Sequence, residues 1–85
     1  MPRSLFTDAY QCLIQAIVGA RQAAGLRQID LAKRLGKPQS FVSKMETGER
    51  RLDVVEFLVV VRAMGADPLL IVAEISAAMP VDTVI

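Results

Sequence analysis

Apolar residues recur along the first third of the chain at steps of three and four: Tyr10, Leu13, Ile14, Ile17, Val18 and Ala24. Side chains at those steps share one face of an α-helix, so the spacing predicts a helix capped by Thr7 and ended by Gly25. A second helix is predicted over 28–35, with Ile29, Leu31, Ala32 and Leu35 inward and Gly36 as its stop. Pro38, favoured at a first helical position, opens a third helix that runs through Glu46 and is terminated by Gly48. Asp53 with Glu56 three residues later forms an acidic capping box for a fourth helix, 54–64, closed by Gly65. Asp67 and Pro68 start the fifth, 69–78, which stops before Pro80; the tail 81–85 is β-prone but too short to assign. No strand pair, repeat or linker breaks the series. The pattern therefore predicts an all-α, five-helix bundle, a single domain over 1–85, because so short a chain cannot divide into two adequate cores.

The second and third helices, joined by a brief turn at Gly36, have the spacing of a helix-turn-helix over 28–47. Leu31, Leu35, Val42 and Met45 are apolar where the two helices face each other and the core, and Ala32 is small where they approach most closely. With Val42 and Met45 inward, the third helix turns Gln39, Ser40, Ser43 and Lys44 outward. These are types that read base edges, although the same row suits a plain solvated face: Gln pairs with adenine, Lys reaches guanine acceptors and Ser serves either. Phe41 lies near the outward face too, where it either meets a thymine methyl or packs on a neighbouring helix edge or dimer contact.

The run Gly25-Leu26-Arg27-Gln28, Leu31-Ala32, Leu35-Gly36, Gln39-Ser40, Val42-Ser43-Lys44, Glu46, Gly48 and Glu49-Arg50 resembles the XRE/Cro-like helix-turn-helix family, over about Arg21 to Gly65. The resemblance implies a lambda-repressor-like DNA-binding fold whose third helix, 38–46, enters the major groove. Base contacts are then expected from Gln39, Ser40, Phe41, Ser43 and Lys44. The resemblance also puts Gln28 against a backbone phosphate, and Arg27, Lys37, Arg50 and Arg51 are expected to flank the groove as further phosphate contacts. It implies as well an Arg21–Glu46 ion pair that holds the reading helix to the scaffold. The sequence departs from the family pattern at Lys37, a turn position more often apolar, and at Pro38, where a capping Ser or Thr is common.

Net charge is only +1, but it is unevenly spread. Residues 27–51 carry seven positive against three negative side chains, and the remainder three against six, so the middle of the chain is the expected polyanion-facing surface. Composition is 53% hydrophobic, more than a lone small domain hides easily. The fourth and fifth helices are apolar nearly all round, which predicts a homodimer through a C-terminal helix, 67–79, using Leu69, Leu70, Val72, Ile75 and Met79. The alternative is that the long first helix covers this surface within one subunit.

One cysteine, Cys12, and no histidine exclude an internal disulfide and the usual zinc and histidine-based chemistry, so neither metal nor cofactor is expected. Cys12 reads as a buried small hydrophobe. No apolar run is long and charge-free enough to span a membrane. Arg3 and the apolar residues after it look faintly like a signal peptide, but Asp8, Gln11 and Gln15 interrupt them, so a cytoplasmic protein is expected. The leading reading is a regulator, usually a repressor, that binds operator DNA as a homodimer and has no separate sensor domain. An antitoxin or restriction-controller protein with the same DNA chemistry, and a protein-interaction module that kept only the fold, are the competitors. With no acid/base pair, nucleophile or phosphate-cradling loop, an enzyme is not expected.

Overall fold

A computed structural model of the chain describes residues 5–85, with side chains from residue 8 onward. The helices are α1 (Leu5–Ala23), α2 (Gln28–Leu35), α3 (Gln39–Thr47), α4 (Val54–Ala63) and α5 (Pro68–Ala78), with no strand among the described residues. The all-α, five-helix expectation is met, and the tail forms a turn at Pro80, closed by Thr83 N–H donating to the Pro80 carbonyl.

Helix ends differ from the sequence reading in ways that local chemistry explains. Leu5 is already helical, so Thr7 is not the N-cap of α1, and its side chain lies outside the described residues. Pro38 has φ −70° but ψ 158°: its ring suits the helical φ, yet its ψ stays extended, so it caps α3 from outside. The helix consequently starts one residue later than expected, and it also runs one residue further, to Thr47 before the left-handed Gly48. α4 begins with a true capping box, in which Glu56 N–H donates to Asp53 Oδ1 at 2.7 Å and Asp53 N–H donates to Glu56 Oε1 at 3.0 Å. Asp67 accepts from Leu69 N–H at 2.9 Å, and Pro68 fills the first helical position of α5, where its missing N–H costs nothing.

Gly36 makes the turn between α2 and α3. At φ 66° it adopts the left-handed conformation, and Lys37 N–H then closes the end of α2 on the Ala32 carbonyl at 3.0 Å. A residue with a Cβ would be strained there, and the strain would be felt in the angle between the two helices.

The core sits where α1, α2, α3 and α4 meet. Ile17, Leu31, Val42, Met45, Val60 and Val61 are fully buried, and Ala32 is sealed among them. α3 packs on both α2 and α1, so it is held from two sides. α5 closes the bundle against α1 through Ile71 and the half-buried Ile75. Cys12 is half-buried rather than buried, and its Sγ lies 3.4 Å from the Ala78 carbonyl, a weak thiol tie between α1 and the end of α5.

Met45 is the fullest test of this core because it is completely buried, in the last turn of α3. Met45→Ala should cost about 2–5 kcal/mol, the range for emptying such a site, read as a lower midpoint in urea unfolding with an unchanged slope.

Candidate nucleic-acid interface

α3 is two-sided. Val42 and Met45 bury one side, while Gln39, Ser40 and Lys44 are exposed on the other and Ser43 is half-buried at its edge. Because the helix runs through Thr47, that residue joins the row one turn beyond Ser43 and Lys44. Thr47 is exposed, and its hydroxyl donates to the Lys44 carbonyl at 3.1 Å. Ending the helix at Glu46 hides this position; the left-handed Gly48 after it is the signal that could have revealed it.

An ion pair bolts α3 to α1. Arg21 Nε donates to Glu46 Oε2 at 2.7 Å, and a second guanidinium nitrogen donates to Oε1 at 3.1 Å, the two-pronged geometry that suits arginine and carboxylate. Side-chain exposure is only 11% for Arg21 and 6% for Glu46. Arg21 also donates to the Leu26 carbonyl at 2.8 Å, so the pair pins the α1–α2 connection as well. Gln28 completes the network: its Nε2 donates to Glu46 Oε1 at 3.0 Å. The Gln28 amide, expected to face a phosphate, is thus engaged inside the protein, on the carboxylate that holds α3.

The expected phosphate contacts fall into two groups. Lys37 is exposed beside the turn, with Lys33, Arg34 and Lys44 also exposed on the same pair of helices. Arg34 donates to the Ala63 carbonyl at 2.9 Å and so tethers the end of α4. The three arginines are committed to neighbours. Arg27 chelates Asp30, its Nε 3.0 Å from Oδ2, and Asp30 also accepts the Arg27 backbone N–H at 2.8 Å. Those hydrogen bonds push the Asp30 carboxyl down to about 2. Arg50 pairs with Glu56 at 2.6 Å and lies 4.7 Å above the centre of the Phe41 ring. The Arg50 hydrogen bond, with help from the Asp53 N–H, holds Glu56 below the usual carboxylate range. Arg51 lies 4.2 Å over the Tyr10 ring.

Of the two places open to it, Phe41 takes the one packed on a neighbouring helix, away from the outward side chains. It is half-buried and packs against the core, on the flank of α3 that faces Leu35, Val55 and Val59. Helical spacing alone put it near the boundary between the two sides; an apolar depression between α3 and α4, with two cations over the ring, draws it inward.

No curated protein matches the sequence. A helix-turn-helix family model matches residues 19–71, most of the chain and all of α2 and α3. Among solved structures, the fold is similar to an XRE-family like protein from Pseudomonas syringae pv. tomato str. DC3000, at 49% identity and a TM-score of 0.79, over 86% of this chain and 89% of that one. The chain belongs to the XRE-type helix-turn-helix family. This XRE-type chain is accordingly a regulator of the DNA-binding helix-turn-helix class, a type that is not typically enzymatic. No described helix is long and apolar enough to cross a membrane, and no described cluster of three or more His, Cys, Asp or Glu could hold a metal.

Two outcomes follow from the site's charges. Arg21→Met and Glu46→Leu should each destabilise by about 3–5 kcal/mol, because each strands a buried charge, and the double substitution should recover much of that loss; denaturant unfolding of the four proteins closes the cycle. Asp30 has a folded pKa below its unfolded one, so its stabilising contribution is complete above about pH 4 and disappears as pH falls through about 2. Asp30→Asn should therefore be less stable than the parent at neutral pH, and the gap should close over that acid window.

Proposed function

We propose that this XRE-type chain is a sequence-specific transcriptional regulator that binds operator DNA as a homodimer, with α3 in the major groove. One observation carries the reading: α3 is fixed on its inner side by a buried ion pair and a sealed core, while its outer side offers only short or flexible polar groups. Gln39, Ser40, Ser43 and Lys44 contact base edges, and Thr47 extends the row. Lys37 and Arg51, with Arg27 once it shares its charge with Asp30, contact the phosphates that set register. Regulation is most simply repression, by occupying DNA that polymerase needs, and the site of action is the chromosome in the cytoplasm.

The dimer surface is supported by exposed apolar side chains. Leu69 and Leu70 are 78% and 69% exposed, and Val72 and Met79 are also exposed. Beside them runs an open groove of about 300 Å³ between Leu52, Val54, Phe57, Val72, Ile75 and Met79. α1 covers Ile71 and part of Ile75 but leaves this face bare, so one subunit does not satisfy it. Ile75 accordingly serves the core and the groove together. Two copies joined here give a twofold-symmetric reader of half-sites roughly 34 Å apart.

Selection from random duplexes should recover a palindromic site. On that site, Gln39→Ala with Lys44→Ala should lower affinity roughly tenfold to a hundredfold or more, the scale of one or two lost base contacts, with folding unchanged by circular dichroism. Leu69→Lys should instead shift sedimentation from dimer to monomer and weaken binding to the full site more than to a half-site. Retained affinity and sequence preference in a folded Gln39/Lys44 double variant would remove the proposal.

A further inference from the structure

The loop 48–53 between α3 and α4 is stapled on both sides by arginine–aromatic stacks. Arg51 lies on Tyr10 of α1, and the Tyr10 hydroxyl accepts from Leu52 N–H at 3.3 Å. Arg50 lies on Phe41 of α3. The Arg50 guanidinium does three things at once: it covers the ring at 4.7 Å, pairs with Glu56 of α4 at 2.6 Å, and donates to the Arg51 carbonyl at 2.8 Å. Its backbone N–H closes the end of α3 on the Lys44 carbonyl at 3.1 Å. Lys37, at 5.7 Å from the same ring, adds a second cation from the turn before α3.

These contacts form one connected path from the reading helix through the loop to the first turn of α4. Glu56 is shared: one oxygen accepts the Asp53 N–H that starts α4, and the other accepts Arg50. The carboxylate and the carbonyl each take one guanidinium N–H while the ring covers one face, so the group is held on three sides even though its side chain keeps 40% exposure. A planar guanidinium is suited to all three at once, whereas a lysine ammonium is not.

We propose that Arg50 is a positioning residue that sets the orientation of α3 by clamping Phe41 against α4, and is not a phosphate contact. The ion pair of Arg21 and Glu46 fixes the far side of α3, and Arg50 on Phe41 fixes the near side, so together they define how the polar row is presented. Phe41 acts as the handle. It reads no base, and its aromatic face is required because the clamp acts on that face. The proposal refines the DNA-binding reading, but part of its test is independent of DNA.

The DNA-free arm is amide hydrogen exchange on the full chain. Arg50→Gln, Arg50→Lys and Phe41→Leu should each speed exchange over residues 41–52 severalfold and leave α1 and α5 unchanged, and Arg50→Gln combined with Phe41→Leu should be no worse than either alone. Unchanged exchange over 41–52 in all three single variants overturns the proposal, whatever the protein binds. The second arm measures affinity for the selected duplex against salt. Removing a phosphate contact lowers the slope of log affinity on log salt by about 0.9, whereas Arg50→Gln should keep the slope and lose about threefold to tenfold in the ratio of selected to unrelated DNA, as one stacked cation is worth. A slope lower by one contact, with the preference intact, overturns the proposal. Should the parent protein show no preference among duplexes, the regulator reading fails, and the exchange arm alone decides the role of Arg50.

Discussion

The structure depends on one buried charge pair. Arg21 and Glu46 join the end of α1 to the end of α3 with two short hydrogen bonds in a site nearly closed to water. In such a place a lone charge is costly, so neither residue can be satisfied unless the two helices keep their relation. Gln28 adds its amide to the same carboxylate, and Arg21 holds the Leu26 carbonyl. Three elements therefore converge on the inner side of α3: α1, the connection after it and the start of α2.

With that side fixed, the rest of the site follows from helix geometry. Val42 and Met45 fill the core and Glu46 turns in to Arg21, so Gln39, Ser40, Lys44 and Thr47 are left facing out, all short or flexible polar groups. The left-handed Gly36 sets the entry to α3, and Pro38 stiffens it. Arg50 of the following loop folds back onto Phe41 in the first turn of α3, the one aromatic residue of the helix. α3 is thus tied to its neighbours on both flanks and at its entry. On the proposed reading, a helix held in this way loses less conformational entropy when it binds, which leaves more of the contact energy for discrimination.

Much of this was legible in the residues. Glycine, proline and aspartate mark every helix boundary to within a residue or two beyond α1, because each has a specific backbone or capping chemistry. The inner residues of α2 and α3 follow from their spacing, and the approach of Arg21 to Glu46 from family likeness. What was hidden lay in contacts between elements. Phe41 sits at an angle on its helix that fits either side, and only the depression beside Val55 and Val59 and the Arg50 stack decide it. Gln28 was expected against a backbone phosphate; the acceptor it meets in the structure is Glu46, 18 residues away. Thr47 was lost to a helix end placed one residue early. Thr7 failed as a cap because Leu5, two residues ahead of it, is already helical.

The central claim is that the exposed row of α3, and no other face of the bundle, meets the duplex. Chemical-shift mapping of the labelled protein with a duplex selected by it measures this directly. The largest changes should fall on the amides of residues 37–47 and on the side-chain amide of Gln39, with the outer face of α5 unaltered beyond the dimer. Changes centred on α1 or α5, with α3 silent, would contradict it.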